Sequence, residues 1–244
     1  MVEIMSLDLN YYFKKLDKFP IPGFLTDCKT PADILAFAKV FLTNIETNTK
    51  KGYIQENHGE IRGTGPTLYN AYYIDQGTVI YNDVTIIGPV YIGRNVEIMP
   101  GAVIRPYTII GDNCSIGHGS ELKHTVMFAG AKVASLSFVG DSVLGASARV
   151  GSGVITANRK FDQTNAAVKI DGIKHELETD YFGLVLGDSS RLGANCTTQP
   201  GTHIGPNSWV FPSICVRDFV PAQTRVMEAQ TLVYDENPIV ELKP

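Results

Sequence analysis

The sequence predicts an all-β protein: a parallel β-helix of hexapeptide repeats, with a short α-helical N-terminal segment and one long inserted loop. Three observations predict it. First, an aliphatic residue falls on every sixth position through Ile80, Ile86, Ile92, Ile98, Ile104, Ile110, Ile116 and Leu122, and the step returns through Leu186, Leu192, Thr198, Ile204, Val210 and Val216. Neither an α-helix nor an amphipathic strand has a period of six; a chain that bends at a fixed interval does. Second, the position two residues before each aliphatic holds Val84, Val90, Val96, Ala102, Thr108, Cys114 or Ser120. Strand alternation points both positions of each pair to the same, inner side. Third, turn formers fill the gaps, as in Gly93-Arg94-Asn95, Gly111-Asp112-Asn113 and Gly117-His118-Gly119.

The elements follow in order. Residues 1–66 form an N-terminal helical segment and connector. Thr30-Pro31-Ala32-Asp33 places a hydroxyl cap, a first-turn proline and an acid at a helix start, and Ile34, Phe37, Ala38, Phe41 and Leu42 continue at helical spacing to near Asn48. Thr49–Pro66 is polar and leads into the repeat; within it His58-Gly59-Glu60 reads as a solvated loop, with no second ligand pair for a metal. The β-helix occupies residues 67–221. Its phase breaks at a five-residue step between Val139 and Leu144 and at the charged stretch from Asn158 to Phe182, which makes residues 159–182 an inserted loop. Residues 222–244 are a tail.

Composition narrows the function. With a net charge of −4 and no long basic run, a nucleic-acid-binding surface is not expected. The N-terminus lacks signal-peptide order and no apolar run is long enough to span a bilayer, so a soluble, cytoplasmic protein without membrane partners is expected. The four cysteines have no close pairing, and Cys114 and Cys196 occupy inward positions, as packed thiols would.

Three segments carry a family resemblance: Lys132-Val133-Ala134-Ser135-Leu136-Ser137-Phe138-Val139-Gly140-Asp141-Ser142-Val143, then Gly151 to Asp162 with Thr156-Ala157-Asn158-Arg159-Lys160-Phe161-Asp162, then Pro200 to Trp209. With these the chain resembles the hexapeptide-repeat acyltransferases, and within them the C-terminal acetyltransferase half of bifunctional sugar-1-phosphate nucleotidyltransferase/glucosamine-1-phosphate acetyltransferases, archaeal long form. The resemblance implies a left-handed helix, a homotrimer with sites between subunits, and acetyl-CoA or another acyl-CoA as co-substrate without a metal. Nucleotidyl transfer is not expected, because only about 65 residues precede the helix and they hold no glycine-rich entry motif.

Residue by residue, the resemblance implies that Arg105 and Lys123 bind a sugar phosphate, with Phe138, Arg149 and Lys169 in the same pocket. It implies that Ser152, Asn158, Arg159, Ala194 and Arg225 contact the CoA. Cations suit a phosphate, which takes charge-assisted bonds. Three departures stand out: the family's catalytic histidine falls at Ser135, its tyrosine at Phe138 and an asparagine at Arg149. A serine hydroxyl is no base near neutral pH without a partner. His118, in a turn, and His124, beside Lys123, are the candidates to replace it; His203 lies next to the inward Thr202 and so is expected to face outward. Trp209 and Phe211 read as packing or trimer contacts. Two functions follow. One is a CoA-dependent acyltransferase acting on an amine or hydroxyl of a sugar phosphate or nucleotide sugar. The other is a non-catalytic trimeric sugar-nucleotide binder or scaffold that kept the frame after losing the base.

Overall fold

A computed structural model describes residues 7–47, apart from 15, 17, 18, 20 and 22, and residues 55–229. The chain winds into coils of about eighteen residues, each laying one short strand on each of three flat faces. The first face stacks nine parallel strands from Gln55–Asn57 to Phe219–Val220, the second nine from Glu60–Ile61 to Arg225–Val226, and the third eight from Thr67–Tyr69 to Cys215–Val216. The architecture is the all-β, left-handed parallel β-helix. Its pairing runs past the 67–221 bounds at both ends, because Gln55–Asn57 already pairs with Tyr72–Ile74 and Arg225–Val226 still pairs with Trp209–Val210.

The six-residue ladder is the interior. Ile80, Ile86, Ile92, Ile98, Ile104, Ile110, Ile116 and Leu122 are all fully buried, in register from coil to coil. The second inward position is buried as well. Where it holds a hydroxyl, burial is compensated by hydrogen bonds along the stack. Ser120 Oγ donates to the Ala134 carbonyl at 2.7 Å and accepts from Ser137 N at 3.1 Å; Ser190 Oγ does the same with Gly205 O and Ser208 N.

The five-residue step from Val139 to Leu144 has companions. The step from Leu122 to Met127 is also five residues, since Ile110 pairs with Met127 and Met127 with Leu144, and the step from Val216 to Val220 is four, since Ile204 pairs with Val220. These short steps lie at the corner where the third face turns into the first. The long insertion leaves from that corner too, after Ile155–Thr156, and rejoins at Leu184–Leu186. Inside it Ala167–Ile170 and Ile173–Glu176 form an antiparallel hairpin.

The N-terminal segment covers the first face. Helix α1 spans Leu9–Tyr12 and helix α2 spans Pro31–Thr47. At the start of α2, Asp33 Oδ2 accepts from Lys29 N at 2.8 Å and Thr30 N at 2.7 Å, satisfying free donors at the helix entry. Outward residues Ile109, Val126, Val143 and Val185 form one row on the first face, buried under Tyr12, Phe13, Ile34, Ala38 and Leu42. Each such aliphatic side chain removed from water contributes about 1.5–3 kcal/mol, so segment and solenoid share one core. No helix among the described residues is long and apolar enough to cross a membrane.

Candidate active site at the shortened corner

Tyr107, His124 and Asp141 occupy the same corner in three successive coils, all with left-handed φ, 66°, 46° and 47°, as residues at other corners of the solenoid do, among them Asn95, Asn113 and Asn207. Here the corner opens on a cleft of roughly 380 Å3, into which Lys39, Arg105, Tyr107, Lys123, Asp141 and Tyr181 project.

Asp141 is the hub. Its side chain is only 3% exposed, yet it takes Lys123 Nζ at 2.9 Å, His124 Nδ1 at 3.0 Å and Asn158 Nδ2 at 2.5 Å. Burial alone pushes its carboxyl up; the hydrogen bonds from His124 and Lys123, with their charges, outweigh that and hold it below the usual carboxylate range. Asp141 thus fixes Lys123 in one position rather than leaving it to wander on a long stem.

The inserted loop returns over this corner. Tyr181 is bridged to Arg159, whose Nη1 donates to the Tyr181 hydroxyl at 2.8 Å. The ring lies 4.4 Å from Lys123 Nζ and 4.9 Å from the Arg159 guanidinium carbon, both in cation–π range. Arg105 Nη1 donates to Glu121 at 2.7 Å, an interaction that uses one of its five N–H donors. The result is a cleft with three cations, Lys39, Arg105 and Lys123; carboxylates orient Arg105 and Lys123, and aromatic rings lie against Lys39 and Lys123.

The remaining residues sort by face. Asn158 and Arg159 belong to this corner, not with Ser152, Ala194 and Arg225. Arg149 stands apart from Arg105 and Lys123, because it points out of the second face in the row Lys132, Arg149, Arg191, Trp209, Arg225. All five are exposed, no carboxylate pairs with the four cations among the described residues, and Arg225 lies 5.6 Å from the Trp209 ring. Ser152 and Ala194 are exposed at the corner between the second and third faces, in one column with His118 and Ser135. Phe138 is half-buried on the third face between Glu121 and Ile155. Lys169 is exposed on the hairpin opposite Lys174.

Two histidines change status. His203 does point out of its strand, but it is covered: 1% exposed, stacked on Phe182 at 5.5 Å, edge-on to Tyr12 at 5.6 Å. Burial lowers its pKa to about 4, so it is held neutral in the core. His124 meets acceptors at both nitrogens, Asp141 at Nδ1 and the Leu35 carbonyl at Nε2, 2.9 Å away. A ring so engaged ties α2 to the corner, with both of its nitrogens facing protein oxygens.

The model of the GMPPB C-terminal domain family matches residues 86–171. Bifunctional protein GlmU of Methanocaldococcus jannaschii is 31% identical over 227 residues, 93% of this chain and 52% of its own length. The bifunctional sugar-1-phosphate nucleotidylyltransferase/acetyltransferase of Sulfurisphaera tokodaii is 31% identical over 194 residues, 80% of this chain and 46% of its own. The chain thus spans about half the length of these relatives. The putative uncharacterized acetyltransferase YaiX of Escherichia coli is 34% identical over 155 residues, 56% of this chain and 67% of its own. The chain belongs to the hexapeptide-repeat acyltransferase family. A putative acetyltransferase of Bacillus cereus, 18% identical, aligns with a TM-score of 0.42 over 68% of this chain and 78% of its own.

In this member of the hexapeptide-repeat family, sequence reasoning missed Asp141, Tyr181, Glu121 and Lys39 as parts of the cleft. Asp141 carried a signal, since it sits inside the five-residue step. Tyr181 carried none, because its bridge to Arg159 forms only when the insertion folds back.

Proposed function

We propose that this chain is a cytoplasmic, CoA-dependent acyltransferase that modifies an amine or hydroxyl of a sugar phosphate or nucleotide sugar, working as a homotrimer with sites between subunits. The observation that carries the proposal is the match of 80% of the chain to a relative named for sugar-1-phosphate nucleotidylyltransferase and acetyltransferase activities. The corner cleft supports it in chemical terms. Arg105 and Lys123, one coil apart and pre-oriented by Glu121 and Asp141, offer charge-assisted bonds to a phosphate without further ordering of long side chains. Tyr181 and Arg159 pack over the same place, the Tyr181 ring 4.4 Å from Lys123 Nζ.

The second face suits the anionic end of an acyl-CoA. Lys132, Arg149 and Arg191 follow one another in register, about 4.8 Å apart by strand spacing. Like charges directly opposite one another destabilise a sheet, and a bound polyphosphate would relieve that repulsion. Bound acyl-CoA supplies an activated thioester carbonyl; the chain's part is to hold that group and the acceptor together, worth several kcal/mol of barrier.

Calorimetry with acetyl-CoA and with glucosamine 1-phosphate tests the reading. Acetyl-CoA is expected to bind below millimolar and to weaken at least tenfold in Arg149→Glu and Arg225→Glu. Glucosamine 1-phosphate binding is expected to weaken in Lys123→Ala. No binding heat with acetyl-CoA or longer acyl-CoAs at millimolar concentration would overturn it.

A further inference from the structure

We propose that His118 is the general base of the acyl transfer, an inference that rests on the transferase reading above. Of the five histidines, four are placed where they cannot serve. His124 is engaged at both nitrogens and His203 is sealed in the core. His175 lies on the inserted hairpin with its Nε2 enclosed. His58 sits in the first coil, its Nε2 turned to Glu56 at 3.3 Å, three coils before Lys123.

His118 differs in three respects. Its Nδ1 lies 2.7 Å from the Pro100 carbonyl, an atom that can only accept, so the proton resides on Nδ1 and the lone pair on Nε2. Its side chain is exposed, and it belongs to the same coil as Lys123. Its position in the corner column is directly beside Ser135, one coil on: Ile116 pairs with Val133 in the adjoining coil, Gly117 N donates to the Val133 carbonyl, and Leu136 N donates to the His118 carbonyl at 2.8 Å. The ring rests over Gly101, where a Cβ would lie 3.7 Å from Cε1. The neighbouring corners, Pro100-Gly101 and Ser135-Leu136, hold no titratable group that would compete for the proton.

The step balances as follows. The acceptor's amine nitrogen attacks the thioester carbon, the C–N bond forms, and the carbonyl π pair moves onto oxygen. His118 Nε2 takes the proton from that nitrogen. The carbonyl re-forms, the C–S bond breaks with its pair on sulfur, and His118 Nε2–H returns the proton to give the CoA thiol. A base of this kind contributes about 10²–10⁴-fold in rate.

Steady-state CoA release with acetyl-CoA and glucosamine 1-phosphate decides it, across pH 5.5 to 9, for wild type, His118→Gln and the double variant His118→Gln/Ser135→His. Glutamine can still donate to Pro100, so the corner is kept. The single variant is expected to lose at least 100-fold in kcat with KM for both substrates within about threefold. The double variant, with the imidazole one coil on, is expected to regain at least tenfold. His118→Gln with kcat within threefold of wild type overturns the inference and leaves the transferase reading standing. Wild-type protein that releases no CoA overturns both.

Discussion

Replacing Asp141 by asparagine removes one charge from the corner while keeping its shape, and the cost can be worked from its contacts. Asparagine tolerates the left-handed φ of 47°, so the backbone need not move. What changes is that Lys123 loses its counter-charge and His124 Nδ1 faces an uncharged partner. Breaking a buried pair by removing one partner costs about 3–5 kcal/mol. Lys123 and His124 are 26% and 19% exposed, so water takes over part of the lost solvation, and the amide oxygen still accepts one bond. The expected loss is about 2–3 kcal/mol, which in a domain of this size lowers Tm by about 4–12 °C. The pH dependence gives the second half of the test. The folded carboxyl titrates below its unfolded value, so its contribution is fully present above about pH 4, the ordinary aspartate range, and is lost as pH falls through the depressed folded value. Melting curves of the two proteins by circular dichroism are expected to lie apart at pH 7 and to converge below pH 4. A gap under 1 °C at pH 7, or one that persists unchanged into acid, would refute the assignment of Asp141 as a charged hub.

Two further predictions concern the frame. Leu136 is 64% exposed with φ 59°, while Gly119 and Gly153 hold the same corner in the coils either side. Leu136→Gly removes about 1–2 kcal/mol of strain and adds about 0.5–1 kcal/mol of backbone entropy cost; Tm should rise slightly, and a fall of more than 2 °C would show that the side chain packs. The cysteines provide the other check. Burial pushes the Cys28 and Cys114 thiols up to about 12, Cys196 is buried, and Cys215 alone is exposed. A thiol reagent at pH 8 should therefore label no more than one cysteine per native chain, and rapid labelling of two or more would contradict the packing.

The solenoid was legible because one inward aliphatic per strand repeats without regard to what lies outside. Ile80 to Leu122 needed no tertiary information. The same logic hid the first short step, since Met127 stands in for an aliphatic and Lys123-His124-Thr125 resembles any other turn. The corner itself was half legible. Arg105 and Lys123 could be placed through resemblance, but their carboxylate partners Glu121 and Asp141 depend on which residues share a corner once a step is short. His203 points outward, as its inward neighbour Thr202 implies, yet it is covered by Tyr12 from the N-terminal segment and by Phe182 from the end of the insertion. The cation row was illegible for a related reason: Arg149 and Arg191 are separated in sequence by the whole insertion and adjoin only because Val150 pairs with Leu192.

The most direct measurement is thiol release from acetyl-CoA in the presence of glucosamine 1-phosphate, followed for wild type beside Arg105→Ala and Lys123→Ala. Release that needs both substrates and falls at least 100-fold in either variant is the predicted result. Folded wild-type protein that releases no thiol with any acyl-CoA from acetyl to myristoyl, or variants that release it as fast as wild type, would contradict an acyl transfer whose acceptor is held at this corner.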